Sequence, residues 1–352
     1  MSENSVTFAE SILEGHKQGL LKNESSYILG LGVDYDNGAD GTTSGLARQY
    51  ESRLFDVPVS EASFTSMAVG MAAAGLNPIV HHGRIEFAML AMDAILTQAP
   101  KWNFMFGGDY KVPLGVRVNL GRQWGNGPQH TACYSSLFPN TPGLDVFWSS
   151  RPSEAFWFTR ALHSLDTPTI SMEHRYLFKT VEKMPEAAID EHRPPSFAMY
   201  EEKSPIIILT YGDGVQEALK VKEAIGEGVG VIALVGLYGD RQLPDRVYEA
   251  IDRADQILFL DTSNYQYGIL EGLAGKLAMQ VNLSNKARVF APPFEPCATA
   301  PELVSEFYPR WRDITSFLSD RFGTPNNHPS ASFDELHLPT EFDFTRHTAV
   351  YI

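Results

Sequence analysis

The sequence predicts an α/β protein with two open, mainly parallel sheets, and three observations support this. Short apolar runs typical of buried strands, such as "SSYILGLGV", alternate with longer segments of helical periodicity. The charged, proline-rich stretch "EKMPEAAIDEHRPPSF" interrupts this alternation, which then restarts. The chain has 352 residues, which is long for one domain. We therefore expect a first domain over 1–185, a linker over 186–203, a second domain over 204–322 and a C-terminal extension over 323–352.

The first half opens with an amphipathic helix, "TFAESILEGHKQGLLKN", followed by the strand "SSYILGLGV" and the Gly/Asp-rich loop "DYDNGADGTTSG". A strand "RLFDVPVS" leads into a helix from Glu61 to Gly75, rich in small residues. After the strand "NPIVHHG" comes the helix "EFAMLAMDAILTQAPKW", which we expect to stop near Pro100. The strands "VPLGVRVNL", "DVFWSS" and "TPTISMEH" follow, with a helix from Ser153 to His163 between the last two.

The second half repeats the pattern on a smaller scale. Strands are expected at "IIILTYG", "VGVIALVGL" and "QILFLD", and helices at "GVQEALKVKEAI", "LPDRVYEAIDRA" and "YGILEGLAGKLAMQV". The end of the chain is rich in Pro, Asn, Ser and acidic residues. Its aromatic residues are widely spaced, which suggests an extended segment that docks on a neighbouring chain, with disorder as the alternative. These aromatic residues are Phe333, Phe342, Phe344 and Tyr351.

Composition narrows the class of protein. The net charge of -15 argues against nucleic acid or an anionic membrane as a partner, although the charge could serve solubility alone. The start lacks the pattern of a signal peptide, and no apolar stretch approaches the ~20 residues of a membrane helix. The two cysteines, Cys133 and Cys297, lie far apart without metal-ligand spacing, which favours a reducing compartment. We expect a cytoplasmic protein with small-molecule or protein partners.

One carboxylate stands out in "VSEASFTSMAVGMAAAGLNPIV". Glu61 lies where a strand passes into a helix, and open α/β sheets bind their ligands at such junctions. A carboxyl group beside an apolar helix also suits proton transfer. The alternative is a helix-start residue stabilised by the positive end of the helix dipole. Spacing alone favours that alternative.

A resemblance changes this balance. The stretch "RLFDVPVSEASFTSMAVGMAAAGLNPIV" resembles the beta subunit of the thiamine-diphosphate-dependent 2-oxo acid dehydrogenases, a family that includes the pyruvate, branched-chain 2-oxo acid and acetoin enzymes. The segments "PGLDVFWSSRPSEAFWFTRALHSLDTPTISMEHRYLF", "TYGDGVQEALK", "LYGDRQLP" and "FLDTSNYQYG" resemble later parts of the family in the same order. The resemblance covers roughly residues 6–320. It implies a transketolase-like pyrimidine-binding domain followed by a transketolase C-terminal domain.

The resemblance implies a role for four residues. Glu61 matches the glutamate that serves N1′ of the cofactor's aminopyrimidine ring, and Val59 matches a residue that lines the pyrimidine pocket. Phe87 matches the aromatic residue that stacks on that ring, although a core residue would also fit. His130, in "GPQHTACY", matches a histidine that faces the thiazolium and helps to bind substrate and intermediates, although a lone histidine is often a surface or core residue.

Two segments depart from the family pattern or imitate it. His81 and His82 in "HHGR" could ligate a metal only with a third ligand, so we interpret them as altered substrate contacts. The triplet Gly212–Gly214 reads "GDG", like a diphosphate-binding motif, but the next asparagine, Asn264, is too distant. We therefore predict no metal ligand in this chain. A partner alpha subunit of an α2β2 heterotetramer is expected to supply the residues for Mg²⁺ and the diphosphate.

Three functions remain open at this point. The first is a beta subunit that acts on a small 2-oxo acid and passes the acyl group to a lipoyl carrier, such as that of a lipoyl acyltransferase core. The second is a subunit of a split transketolase-like enzyme with another acceptor. The third is a non-catalytic interaction subunit, which the retained Glu61 disfavours.

Overall fold

The computed structural model describes residues 5–121, 127–183, 194–239, 241–323 and 342–352. In the first half of the chain, helices alternate with strands as the sequence predicts. The strands are Ser5–Thr7 (β1), Ser26–Gly30 (β2), Leu54–Asp56 (β3), Asn77–His82 (β4), Gly115–Leu120 (β5), Asp145–Ser149 (β6), Thr169–His174 (β7) and Val181–Lys183 (β8). The helices are Phe8–Lys22 (α1), Leu46–Tyr50 (α2), Glu61–Ala73 (α3), Ile85–Ala88 (α4), Ala99–Met105 (α5) and Pro152–Leu162 (α6).

The second half continues the alternation. Its strands are Phe197–Tyr200 (β9), Ile206–Tyr211 (β10), Val229–Leu234 (β11), Gly236–Leu237 (β12), Gln256–Leu260 (β13), Ala287–Phe290 (β14) and Val350–Tyr351 (β15). Its helices are Gly214–Ile225 (α7), Asp245–Arg253 (α8), Ile269–Ala278 (α9), Pro301–Phe307 (α10) and Trp311–Phe322 (α11).

The strands of the described ranges form two large sheets and one two-stranded sheet, in which β1 pairs antiparallel with β8. The first has the order β12-β6-β7-β5-β4-β2-β3 and is parallel except for β12, which pairs antiparallel with β6. The second has the order β14-β13-β10-β11-β9-β15, with β9 and β15 as antiparallel additions at one edge. The predicted fold class, α/β with two open and mainly parallel sheets, is confirmed. Because β12 follows β11 in sequence but joins the first sheet, the two sheets are tied together.

The helical segment after β4 does not stop at Pro100, so that expectation is wrong. The chain passes from α4 through a 3₁₀ turn, Met89–Ala91, and a wide π-helical stretch, Asp93–Gln98, directly into α5. Pro100 lies in the first turn of α5. A proline there breaks no hydrogen bond, because the first N–H groups of a helix have no partner within it.

A buried arginine organises the interior of the first sheet. The Arg117 side chain on β5 is fully buried and donates two hydrogen bonds to the Glu173 carboxylate on β7, at 2.8 and 2.6 Å. It also donates to Nε2 of His16 on α1, at 2.9 Å. Nδ1 of His16 lies 2.9 Å from Nε2 of His163, whose Nδ1 lies 2.7 Å from Oγ of Ser26 on β2. A helix and three strands therefore meet at one connected polar network.

Residues 342–352 pack on the chain itself, which corrects our expectation of docking on a neighbour for Phe342 and Phe344. Phe342 and Phe344 are buried, and β15 pairs with β9. Arg151, at the start of α6, donates hydrogen bonds to the carbonyl oxygens of Phe344 and His347, at 3.2 and 3.0 Å. The fourth aromatic residue of that expectation, Phe333, lies outside the described residues.

The second part of the predicted linker is also structured. Strand β9 lies within 186–203 and pairs with β11 of the second sheet. Residues 186–193 lie outside the described ranges. The C-terminal segment 342–352 contacts both sheets' domains, because Val181 N–H donates to Phe342 O at 2.8 Å while β15 joins the second sheet.

None of the helices in the described ranges combines the length and apolarity that crossing a bilayer requires.

Phe344→Ala is expected to lower the free energy of unfolding by about 3–5 kcal/mol, because it empties a fully buried site. Urea denaturation of the purified chain at two protein concentrations measures this. The exposed neighbouring change Thr348→Ala is the control and should cost less than about 0.5 kcal/mol. A loss of stability that appears only at the higher protein concentration would instead indicate that this segment docks on a neighbouring chain.

Candidate functional site

The four residues that the resemblance indicates all follow strands of the first sheet at its carboxyl edge. Val59 and Glu61 come after β3, Phe87 after β4 and His130 after β5. Strands β4 and β5 are neighbours, and β2 separates β4 from β3. The chain leaves β2 toward one side and β4 toward the other, so a crevice opens between their carboxyl ends. Ligands of open α/β sheets bind in such a crevice.

Glu61 is the first residue of α3, and its side chain is only 4% exposed. None of the described residues donates a hydrogen bond to its carboxylate. The helix dipole favours a negative charge at this end of α3, but a nearly buried carboxyl group without a hydrogen-bond partner is costly. The position therefore offers a carboxyl group that a ligand atom can satisfy.

Phe87 on α4 and His130 in the segment after β5 contact each other. Their ring centroids lie 5.8 Å apart and the rings are inclined at 75°. Both side chains are half-buried, and Nδ1 of His130 receives no hydrogen bond from the described residues. The structure thus brings these two residues together. No described contact joins Glu61 to either ring.

Glu86 is a site residue that the sequence reasoning missed. Its Oε1 accepts a hydrogen bond from the backbone N–H of Ala132, at 3.0 Å, two residues beyond His130. Partial burial raises the pKa of the Glu86 carboxyl group, while the bond from Ala132 and the neighbouring Arg84 and His130 act in the opposite direction. The signal was visible as an acidic residue directly before Phe87 in "RIEFA". Glu86 links the segment that carries Phe87 to the loop that carries His130.

Val59 lies on the outer surface of this region, with 78% of its side chain exposed. Other large apolar side chains are exposed on α3 and on the helical segment that packs against it. These are Met67, Leu90, Phe104, Met105 and Phe106. Large apolar groups exposed on neighbouring elements are typical of a surface that contacts another molecule.

His81 and His82 lie inside the protein, which corrects their interpretation as substrate contacts. Both are nearly fully buried on β4. Burial lowers the pKa of His81 and lowers that of His82 to about 4, so both imidazoles are neutral at pH 7. The His82 ring stacks on Phe64 with centroids 5.2 Å apart, and its Nε2 lies 3.2 Å from Oγ1 of Thr65. His82 thus packs α3 against the sheet, whereas His81 lies near Arg117.

The "GDG" triplet lies in the second sheet's domain, between β10 and α7. Asp213 is buried and accepts a hydrogen bond from Oγ1 of Thr262, at 2.6 Å. Within the described ranges, no three side chains of His, Cys, Asp or Glu converge as metal ligands do.

Comparisons with known proteins agree with this geometry. Residues 15–180 match the transketolase pyrimidine-binding domain. The first part of this chain is therefore similar to that domain. That range includes Glu61, Phe87 and His130.

The relatives are beta subunits. The acetoin:2,6-dichlorophenolindophenol oxidoreductase subunit beta of Cupriavidus necator is 27% identical over 319 residues, which cover 87% of this chain and 94% of that protein. The mitochondrial pyruvate dehydrogenase E1 component subunit beta-1 of Arabidopsis thaliana is 29% identical over 69% of this chain and 68% of its own length. The mitochondrial pyruvate dehydrogenase E1 component subunit beta of Saccharomyces cerevisiae is 28% identical over 76% of this chain and 75% of its own length. The resemblance found in the sequence is confirmed, because most of this chain is similar to E1 beta-type subunits.

A solved structure supports the fold of this chain. A split-gene transketolase, described as an inactive beta4 tetramer, superposes with a TM-score of 0.66 over 90% of this chain and 97% of its own. The sequences are 14% identical, so this likeness establishes the fold alone.

His82→Phe is expected to make the chain less sensitive to acid. The folded chain holds His82 with a pKa of about 4, below the unfolded value of 6.5, so stability is lost as the pH falls from 6.5 toward 4. That loss amounts to about 3 kcal/mol at most, and the Phe variant should avoid it. Denaturation at pH 7.5, 6 and 4.5 measures this. Thr65→Val is the control, and its free energy of unfolding should lie below that of the original chain by the same amount at each pH. If His82→Phe loses as much stability between pH 7.5 and 4.5 as Thr65→Val does, the prediction is contradicted.

Glu86→Ala is expected to speed hydrogen exchange at the Ala132 amide about tenfold, because the hydrogen bond from that amide is lost. Glu86→Gln keeps an acceptor oxygen and should leave the exchange within about twofold of the original rate. Exchange monitored by NMR or mass spectrometry on the purified chain measures both. If the Ala132 amide exchanges at the original rate in Glu86→Ala, Glu86 does not hold the loop that carries His130.

Proposed function

We propose that this chain is the beta subunit of the decarboxylating component of a thiamine-diphosphate-dependent 2-oxo acid dehydrogenase, with Glu61 as its acid–base residue. The observation that carries the proposal is the Glu61 carboxylate itself. It is nearly buried, lacks a hydrogen-bond donor among the described residues, and lies at the ligand-binding edge of a domain similar to the transketolase pyrimidine-binding domain. A helix-start residue alone does not need to be buried.

The residues present suit the pyrimidine half of the cofactor. When bound, thiamine diphosphate supplies a thiazolium carbon that adds to the keto carbon of the substrate and takes up the electron pair left by decarboxylation. Glu61 would share a proton with N1′ of the aminopyrimidine. Phe87 presents a half-buried ring for stacking, and Val59 would line the same pocket from the surface. Glu61 is nearly buried, which favours sharing its proton with a bound ring over exchange with bulk water.

His130 would act on the substrate side. Its Nδ1 has no partner among the described residues, while its ring is held by contact with Phe87 and its loop by the bond from Ala132 to Glu86. An imidazole with an open nitrogen can donate to or accept from the carboxylate or keto oxygen of a small 2-oxo acid. Glu86 is in this view a positioning residue, because it acts through the loop.

The diphosphate half requires a partner. Metal-ligand clusters are absent from the described ranges of this chain, and the relatives are named as beta subunits. The exposed apolar groups on α3 and on the adjacent helical segment suit a large permanent interface. We propose that an alpha subunit covers them in an α2β2 heterotetramer and supplies Mg²⁺ and the diphosphate-binding residues.

The acyl acceptor is proposed to be a lipoyl group, such as that of a lipoyl acyltransferase core. Relatives across most of the chain are named as pyruvate dehydrogenase or acetoin oxidoreductase subunits, which favours dehydrogenase chemistry. The split transketolase shares the fold, and a fold does not fix the acceptor.

In the assembled enzyme, Glu61→Gln is expected to bind the cofactor yet lose about 10²–10⁴-fold in turnover, because the amide cannot donate a carboxyl proton. Decarboxylation with an artificial electron acceptor and C2-proton exchange of the bound cofactor measure this. Ser63→Ala, in the same helical turn but exposed, is the matched control and should retain activity. Near-normal C2-proton exchange in Glu61→Gln would refute the assignment.

The purified chain alone is expected to bind thiamine diphosphate weakly and to show no turnover, because it holds only the pyrimidine half of the site. Addition of the alpha subunit, found by co-purification of the native protein, should restore tight Mg²⁺-dependent binding. Calorimetry with and without Mg²⁺ measures this. Tight Mg²⁺-dependent binding by the isolated chain would overturn the shared-site proposal.

A further inference from the structure

A cavity of about 490 Å³ lies between the two sheets' domains, behind the loop that carries His130. One wall consists of residues on both sides of His130, including Gln129 and Thr131. The opposite wall comes from Thr262–Asn264, which follow β13, and from the Tyr308 ring. Its volume falls in the range of sites that hold a small organic ligand.

The cavity also lies at the second topological switch point of the molecule. From β10 the chain goes to β11 on one side, and from β13 it goes to β14 on the other side, while β10 and β13 are neighbours. Their carboxyl ends therefore open a crevice of the kind that binds ligands in open α/β sheets. A smaller cavity beside it is walled by Asp213 after β10 and by Leu120 and His174 at the ends of β5 and β7. The carboxyl ends of strands from both sheets thus face the same space.

The lining has the composition of a ligand site for a flat ring. Most of it is apolar, and the aromatic side chains Tyr134, Phe294 and Phe307 join Tyr308 in it. The amides of Gln129 and Asn264 offer hydrogen bonds, and Glu295 supplies a carboxylate. Aromatic faces and a carboxylate together favour a ligand that is neutral or positively charged.

The polar groups at the cavity's edge are already ordered. Tyr211 OH donates a hydrogen bond to Oδ1 of Asp261, at 3.0 Å, and Ser263 donates to the same oxygen through both N–H and Oγ–H, at 2.8 Å each. Oδ2 of Asp261 is buried and accepts no hydrogen bond from the described residues. Ser263 is therefore held in place before any ligand binds, so this wall of the cavity is preformed.

We propose that this interdomain cavity binds a small ligand with a flat ring and a neutral or positive charge, and that the ligand acts on the position of His130. The segment 127–134 separates the two sites. On its outer side Glu86 and Phe87 contact Ala132 and His130, and on its inner side Gln129, Thr131 and Ala132 line the cavity. A ligand that presses on the inner side therefore shifts or fixes the imidazole. The catalytic consequence rests on the proposed function of His130, whereas binding does not.

Ligand-observed NMR on the purified chain tests binding with three probes of similar size: benzylammonium, benzyl alcohol and benzoate. The first two are expected to bind, and benzoate at least tenfold more weakly. Asn264→Phe fills the cavity from an exposed loop position and should weaken benzylammonium at least tenfold, whereas Gln266→Phe, on the same loop but outside the lining, should not. Tighter binding of benzoate, no binding of any probe, or unchanged binding to Asn264→Phe would overturn the site.

A second measurement tests the link to His130 without cofactor or turnover. Saturating benzylammonium should shift the His130 imidazole resonances in the original chain and in Gln266→Phe, and leave them unmoved in Asn264→Phe. Binding without such a shift would refute the coupling. Failure of the Glu61 and His130 assignments in the assembled enzyme would leave both NMR results unchanged, so the two proposals are separable.

Discussion

The buried guanidinium of Arg117 is the constraint on which the first domain depends. A charge taken out of water is tolerated only when it is paired and its hydrogen-bond donors are used. Glu173 on β7 neutralises it, and His16 on α1 accepts from it. Because arginine can only donate, Nε2 of His16 must be an acceptor, and its proton therefore lies on Nδ1. By the same reasoning, Nδ1–H of His16 donates to Nε2 of His163, and Nδ1–H of His163 donates to Oγ of Ser26. One charge therefore sets the direction of a chain of hydrogen bonds.

That network also requires neutral imidazoles. Burial and the nearby Arg117 lower the pKa of His16, and burial lowers the pKa of His163 to about 3. With α1, β2, β5 and β7 locked together at their buried faces, the carboxyl ends of the strands hold a fixed arrangement. The loops that carry Phe87 and His130 start from those ends, so the precision of the site derives from the interior below it.

A second paired arginine joins the two domains. Arg151 is buried, forms an ion pair with Glu182, and donates to carbonyl oxygens of the C-terminal segment. Glu154 on the same helix accepts from Tyr351 OH, and burial raises the pKa of this carboxyl group to about 7. The C-terminal segment thus completes the junction. Since the interdomain cavity lies between the same two domains, a fixed junction also keeps that cavity formed.

The sequence by itself determined the fold class, the order of most elements and the candidates Glu61, Phe87 and His130. Period-two and helical patterns report which face of a segment is buried, and the resemblance carries residue types at fixed positions. It could not determine where Pro100 would fall within the helical segment, because a proline is harmless in a first turn and disruptive further on. Nor could it distinguish His81 and His82 from ligand contacts, since burial depends on strands distant in sequence.

Only the tertiary structure decided the long-range pairings. Phe342 and Phe344 are aromatic residues in a polar tail, and nothing local indicates whether such residues dock on their own chain or on another. The register of β15 on β9 and the hydrogen bonds from Arg151 decide it, across nearly 200 residues of sequence. The role of Glu86 likewise follows from one hydrogen bond to Ala132, 46 residues away. Cys133 and Cys297 line one cavity although they are far apart in the sequence, because the folding of two sheets against each other brings the ends of distant strands to the same space.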